Sequence, residues 1–438
     1  MVLKMLGAVV NTLLPSSYYV HAAVSILAIV VVHAFAQGRT TTRERDMHAR
    51  VVLVTGGFTP LGLTLIQSLA QRGAHVIALS PKPIDHPEVV ILTELLRSTT
   101  KNDHIYAEEC DVYSSASVRS FCTRFISGKD TRLDTIVFAH GYQPIGSLLA
   151  PDDPEELATR RRASSLATFL IITLLLPVLL VAPVERDIRI INVVNPFYAA
   201  ASLAYSITEV VSPTAPLFKQ EGRRSLETII FMRHLQRVLD ALPSGGQVPK
   251  TDKTTVHVVS DKVQKSNIVA VSVCPGISRG DTIAILLKAS GTQAQRSILG
   301  TVIYFIAQPL LRLLTKSQTA TVQSILHVLF LPTPFKSVHT STATTSTEND
   351  PEEVLKAGAL YRECAVAPVR IPTAGGTPLG EEQKGAMPDD RELGGVHLGQ
   401  SVWESFEVAL KEWEKTVPAS DKEAASDDAP SVDTHTGP

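Results

Sequence analysis

The stretch from Val51 to Ser80, VVLVTGGFTPLGLTLIQSLAQRGAHVIALS, restricts the possible fold more than any other part of the chain. A β-branched apolar run, Val51 to Thr55, passes through a turn directly into a helix, Thr59 to Gln71, with Leu61, Leu65 and Leu69 at helical spacing. A second strand, His75 to Leu79, follows at once. Strand, tight turn, helix and strand in this order form a unit that places two strands parallel with a helix across them. The turn reads Thr55-Gly56-Gly57-Phe58-Thr59-Pro60-Leu61-Gly62. Glycine is needed where backbone approaches a pyrophosphate closely or takes positive φ. The helix start then offers free N–H groups and a partial positive charge to an anion. Two readings stay open: a nucleotide cradle, or a relic that only packs helix on sheet, because Phe58 and Pro60 crowd the turn.

The pattern continues downstream. A helix is expected around Glu88 to Arg97, a strand near His104 to Ala107, and further strands at Thr135 to Phe138 and Ile188 to Val194. Continuous apolar runs of this kind mark strands covered on both faces. Ser225 to Leu242 reads as a helix with Leu226, Ile229, Leu235 and Leu239 on one side, and Ile268 to Val273 as the last clear core strand. The fold class is therefore α/β, a doubly wound Rossmann-type parallel sheet spanning 46–336. A polar insertion at 243–266, a loop-rich extension at 337–416 ending in a docking helix around Trp403, and a disordered acidic tail at 417–438 complete the layout.

Residues 1–45 read as an anchor and linker. Tyr18 to Ala36 (YYVHAAVSILAIVVVHAFA) has no Asp, Glu, Lys or Arg and the length of a transmembrane helix. Arg39, Arg43 and Arg45 follow it while only Lys4 precedes it, which places the body on the cytosolic side. The expected membrane is the endoplasmic reticulum, with the mitochondrial outer membrane or a lipid droplet as alternatives. Ala34-Phe35-Ala36 leaves signal-peptide cleavage as a rival reading. A net charge of −2 without a clustered basic surface argues against a nucleic-acid partner. Arg160-Arg161-Arg162, the densest basic run, reads as an exposed helix face. Cys110, Cys122, Cys274 and Cys364 show no metal-ligand spacing, so no metal is expected.

The turn at Thr55, Gly56 and Gly62 resembles the Thr-Gly-x-x-x-Gly-x-Gly turn of short-chain dehydrogenase/reductases, with Pro60 in place of the middle glycine. Further similarities come in order: Asp111-Val112 with Ser117-Val118, Gly141 after Phe138-Ala139-His140, and Pro275-Gly276 with Thr282. Gly358-Ala359-Leu360-Tyr361 and the Trp403 helix are similar to tails of membrane-associated, retinol-type members. The whole layout resembles a fungal family of anchored proteins of this type without an established activity. The resemblance implies a dinucleotide site built from Thr55, Gly56, Gly57, Leu61, Gly62, Ser80, Asp111, Val112, Gly141, Pro275, Gly276 and Thr282. Ser80 stands where NAD-preferring members carry an acidic residue, and Lys82 is near, so NADP is the expected cofactor.

The resemblance also implies a tyrosine acid/base tuned by a lysine four residues on, with a serine and an asparagine in support. Here the tyrosine and lysine positions fall on Gly222 and Leu226, the serine position on Val194 or Asn195, and the asparagine position on Ser164, in a helix read as ending at Pro177. Only Ser225 of the active-site helix matches. Tyr205, with no lysine four residues on, is a weak substitute. His140 is expected in a packing or hydrogen-bonded role. Ser297 to Leu314, within a lid at 283–316, is strongly apolar but broken by Pro309 and Arg312; it reads either as a buried lid or as an interfacial segment presenting Ile298, Val302, Phe305, Ile306 and Leu310 to lipid. Three functions follow: a protein with a degraded site that binds NADP(H) or a lipid-like ligand, an NADP-dependent lipid oxidoreductase using substitute residues, or a scaffold.

Overall fold

Alternating apolar strands and amphipathic helices fold into one sheet with helices on both faces. The computed structural model describes residues 19–128, 132–143, 145–149, 153–183, 186–203, 205–207, 212, 215–242, 266–290, 296–333, 353–371 and 392–415. The insertion at 243–266, save its last residue, the Ser/Thr-rich loop at 337–350, the loop at 372–391 and the tail lie outside the described residues.

In chain order the elements are α1 (Tyr19–Gln37), β1 (Val51–Thr55), α2 (Pro60–Ala70), β2 (His75–Ser80), α3 (Pro87–Thr100), β3 (Ile105–Glu109), α4 (Ser115–Ser127) and β4 (Thr135–Phe138). They continue with α5 (Pro154–Val181), β5 (Ile188–Val193), α6 (Tyr198–Ser202), α7 (Leu217–Ala241) and β6 (Ile268–Cys274). The last are α8 (Ile298–Ile306), α9 (Gln308–Leu314), α10 (Gln318–Phe330), β7 (Leu360–Arg362), β8 (Ala365–Val366) and α11 (Gly395–Lys415). The sheet order is β3-β2-β1-β4-β5-β6-β7-β8, parallel throughout except for β8. This is the doubly wound arrangement, and its direction reverses between β1 and β4, where such sheets open a crevice.

Strand side chains alternate between two cores, as a period of two requires. Ile268, Ala270 and Cys274 of β6 join the cluster under α4, α5, α7 and α11. Val269, Val271 and Val273 join the one under α2 and α10. The terminal helix α11 closes the first face by stacking Trp403 and Phe406 edge-on against Phe169, with ring centroids at 5.2 and 5.9 Å.

Three readings need correction. Helix α5 does not stop at Pro177 but runs through it to Val181, buried along most of its apolar length. Pro177 lies near the C-terminal end, where a missing N–H costs little beyond one bond. Arg161 is not on an exposed face; it is 5% exposed, inside the body. And β6 is not the last core strand, since β7 adds a parallel partner at Ser272, Val273 and Cys274.

The segment after α1 packs along the body. Arg45 reaches Asp187 at 2.8 Å, and Met47 is buried. Asp187 also pairs with Arg189 at 2.8 Å, and the Arg189 guanidinium donates to the Val328 and Leu331 carbonyls at 2.5 and 2.6 Å, capping the C-terminal end of α10. Burial alone would raise the Asp187 carboxyl, but Arg189 and Arg45 hold it at about 2. Removing that carboxylate leaves a buried guanidinium uncompensated. Asp187→Ala is therefore expected to cost about 3–5 kcal/mol in urea unfolding; a loss under about 1 kcal/mol, the scale of a surface pair, would contradict this.

Candidate functional site

The cleft at the β1–β4 reversal has two ends with different fates. At one end β1 runs into the turn before α2. Thr59 caps the helix, its Oγ accepting from Gly62 N at 3.0 Å and donating to Gly56 O at 2.8 Å. Pro60 occupies the first helical turn, where its missing N–H is harmless. A Cβ at Gly62 would lie 2.2 Å from the Gly56 carbonyl oxygen, so this glycine serves the contact between helix and turn. The amide of Leu61 donates to Asp281 Oδ1 at 3.3 Å. Asp281 is fully buried on a π-helical turn, Arg279–Ile283, that follows β6.

Beside this turn lies a cavity of about 220 Å³ lined by Gly56, Phe58, Thr59, Leu79, Ser80, Cys110, Val112, Tyr113 and His140, among others. Ser80 Oγ accepts from Lys82 N at 3.0 Å, and the Lys82 ammonium pairs with Glu88. Asp111 stands between the lining residues Cys110 and Val112; its Oδ1 accepts from Tyr113 N at 2.9 Å and its amide donates to Ser117 Oγ at 2.9 Å.

The other end is the one the family resemblance assigns to catalysis, and it is filled. Asn195 sits just past β5, Ser164 on α5, Gly222, Ser225 and Leu226 on α7, and Gly141 just past β4. Between them lies Glu221, fully buried. Its Oε2 accepts from Arg161 Nε at 3.0 Å, and its Oε1 from Arg224 Nε at 2.9 Å and from the Asn195 amide. Ser225 Oγ donates to Asn195 Oδ1 at 3.0 Å. Arg161 donates to the Ile145 carbonyl and to Gln220 Oε1, both at 2.6 Å, and Arg224 donates to the Gly141 carbonyl. The two buried cations thus share one carboxylate, and neutral amide and carbonyl oxygens accept their remaining N–H groups, which is what lets such charges stay inside.

Gly222 admits no side chain: an added Cβ would stand 2.5 Å from the Phe197 carbonyl oxygen, because α6 crosses α7 there. Leu226 is a fully buried core residue, as is Val194 apart from a trace of exposure. His140 is buried, with Nδ1 2.6 Å from Thr55 Oγ1 and Nε2 2.9 Å from the Ser164 carbonyl. Its Nε2 therefore carries the proton, and burial lowers its pKa to about 4. It is a neutral strut.

The tyrosines near the cleft are shifted the wrong way for an acid/base. Tyr205 Oη stands 3.5 Å from Glu227, and burial and that carboxylate push its pKa up. Tyr198 is raised chiefly by burial. Tyr142, fully buried, donates to the Gly276 carbonyl at 2.5 Å and contacts Thr282 Oγ1 at 3.1 Å. That leaves Gly276 and Thr282, both read as cofactor contacts, bonded to the protein. Pro275 lies between buried Cys274 and Gly276 at the end of β6. Among the described residues no cluster of three or more His, Cys, Asp or Glu forms. Glu221, Arg224 and Asp281 were not singled out in the sequence, and Arg161 was read only as part of an exposed basic run. The Glu221–Arg224 spacing of i,i+3 was the only local hint.

Fold and site together define a doubly wound α/β protein with a cleft at the β1–β4 reversal, one end of which holds the Arg161–Glu221–Arg224 network. Residues 50–143 match the KR domain family. An uncharacterized oxidoreductase of Schizosaccharomyces pombe is 26% identical over 318 residues, covering 72% of this chain and 78% of that one. An uncharacterized oxidoreductase of Saccharomyces cerevisiae is 26% identical over 321 residues, covering 70% and 74%. Human polyprenol dehydrogenase is 26% identical over 193 residues, 44% of this chain and 56% of that protein. The chain belongs to the short-chain dehydrogenase/reductase superfamily and has uncharacterized fungal oxidoreductases among its relatives.

The contact at Gly222 gives a sign test. In an open helix, Gly→Ala gains about 1 kcal/mol. Against the Phe197 carbonyl it should overpack, and Gly222→Ala is expected to lose about 1–3 kcal/mol. A stabilised variant in thermal or urea unfolding would mean that α6 does not press on α7.

Proposed function

We propose that this chain is a membrane-anchored protein of the short-chain dehydrogenase/reductase type that binds a nucleotide or a lipid-like ligand without transferring hydride. The observation that carries this reading is the Arg161–Glu221–Arg224 network, which occupies the reaction end of the cleft where Gly222 and Leu226 replace an acid and its tuning cation. A missing general acid alone removes about 10²–10⁴-fold in rate. Here its electrostatic partner is missing as well.

The expected cofactor, NADP, fits only in part. The cavity beside Ser80 and Val112 suits the adenosine end, but sites for drug-sized ligands run about 300–1,000 Å³, more than the 220 Å³ present. The Leu61 amide, the donor a pyrophosphate would need, is already bonded to Asp281. No reaction step is therefore assigned to the dinucleotide.

Anchoring is supported by α1, which is 19 residues long and buries no side chain. At about 1.5 Å per residue it matches a bilayer core of about 30 Å. Helix α9 packs against α1, and Gln37 clamps the junction by bonding the Thr315 carbonyl and the Ser317 amide, each at 3.1 Å. Next to this junction α8 exposes Ile298 (85%), Phe305 (79%) and Ile306 (73%). Of the two readings of the lid, this favours the interfacial one, with α8 and α9 resting in the headgroup region beside the anchor. The endoplasmic reticulum, with the body facing the cytosol, remains the proposed location on the charge asymmetry around α1.

A second reading, an oxidoreductase acting on a lipid-like alcohol or carbonyl, is favoured by the same lid and by the likeness to polyprenol dehydrogenase. One assay separates the two. The full chain in lipid nanodiscs is supplied with NADPH and a long-chain lipid carbonyl, and absorbance at the reduced nicotinamide band is followed. No consumption above the protein-free rate is expected. Consumption abolished by Tyr205→Phe would establish the second reading instead. The lid has its own test. A dye on Phe305→Cys, in a Cys364→Ser background, is expected to be quenched by a lipid-soluble quencher and protected from a water-soluble one. The opposite pattern would lift α8 off the membrane.

A further inference from the structure

We infer that Asp281 is a built-in occupant of the phosphate position, so that the cleft accepts an adenosine-type nucleoside but disfavours its 5′-pyrophosphate. The inference rests on the nucleotide reading of the cleft given above and specifies the ligand class for it.

The start of α2 has few N–H donors to offer. Pro60 has no N–H, and Gly62 N is taken by the Thr59 hydroxyl. Leu61 N is therefore the donor this helix end has to offer an anion, and a carboxylate of the same chain already accepts it at 3.3 Å. Asp281 is not a surface group that happens to swing in. It is fully buried, and Gln143 Nε2 also donates to its Oδ1 at 3.0 Å. Its own amide donates to Ser278 Oγ at 2.9 Å, which closes the cap of the π-helical turn. The second oxygen, Oδ2, makes no hydrogen bond of normal geometry, although the Gln318 amide and Ser278 hydroxyl are near. Keeping a carboxylate buried with one oxygen bonded only at poor geometry is costly.

The turn that carries Asp281 is seated on the cradle. A Cβ at Gly280 would lie 2.2 Å from the Gln318 amide and 3.8 Å from Pro60 Cβ, so the backbone there is pressed between α10 and the start of α2. It is tied down by Arg279 N to the Lys316 carbonyl at 3.3 Å and by Lys316 N to the Ile277 carbonyl at 3.1 Å. A pyrophosphate arriving at Leu61 would meet both an occupied donor and a like charge. The adenosine cavity shares Gln143 with this arrangement at one edge, while its walls include Leu79, Ser80, Val112 and Tyr113.

The test is calorimetric titration of the full chain in detergent micelles with adenosine and with adenosine 5′-diphosphate. The wild type is expected to bind adenosine about tenfold or more tightly than the diphosphate. Asp281→Ala should tighten the diphosphate by about tenfold while moving adenosine by less than about twofold. Should that variant fail to fold, Asp281→Asn removes the charge at constant size and is expected to shift the ratio the same way. A wild type that prefers the diphosphate, a ratio unmoved by either substitution, or no binding of either ligand to any of the proteins would overturn the inference. NADPH consumption, scored separately, bears on the absence of hydride transfer and not on this ratio.

Discussion

Glu221 lies out of contact with water, and two guanidiniums, Arg161 and Arg224, converge on its carboxylate with the Asn195 amide. Such a group is stable only as a set: taking away the carboxylate leaves two buried cations, and taking away either arginine leaves polar groups unpaired. The set joins four pieces of chain. Arg161 comes from α5, Glu221, Arg224 and Ser225 from α7, Asn195 from the end of β5, and the Gly141 and Ile145 carbonyls from the loop after β4. These are the pieces that, in the family the chain belongs to, frame the reacting groups. The interaction that holds them together also packs this end of the cleft with buried side chains, which is the basis of the proposal that no hydride is transferred there.

Gly222 and Leu226 fit this account physically as well as by comparison. With the Phe197 carbonyl against Gly222, the helix face that would carry a phenol is used for close packing of α6. With Leu226 in the core under β5 and β6, the face that would carry an ammonium is apolar. What remains open is the far half of the cleft, next to Ser80, Val112 and Tyr113, and the exposed apolar surface of α1, α8 and α9. Binding at either place needs no proton transfer, and the two are linked through Lys316, which bonds the Asp281 turn just after α9.

Much of the sheet was legible because it depends on local signals. Strands β1, β2, β4, β5 and β6 are short, β-branched apolar runs, and α2 follows its turn with leucines at helical spacing, so composition, length and spacing placed them. The apolar helix at Tyr19–Gln37 was legible for the same reason. Strand β7 escaped because it is three residues long and gains its identity from pairing with β6, far away in sequence. Helix α5 seemed to end at Pro177 because proline usually breaks a helix, whereas here the last turn simply continues without that one bond.

The site divided in the same way. That Gly222 and Leu226 stand at the positions the resemblance assigns to the acid and its cation is a local reading of the sequence. Occupation of the vacated space was not. Arg161 stood in a run of three arginines that looked solvated, and its partner Glu221 lies 60 residues on, so nothing in the spacing linked them. Asp281 is 220 residues from Leu61 and became part of the cradle only through the fold. The most direct measurement is an experimental structure of the full chain with saturating NADPH. The account predicts the Arg161–Glu221–Arg224 contacts intact, with any ordered ligand density confined to the adenosine end. A nicotinamide ring ordered beside Asn195, with a tyrosine hydroxyl and a lysine ammonium converging on it, would contradict it.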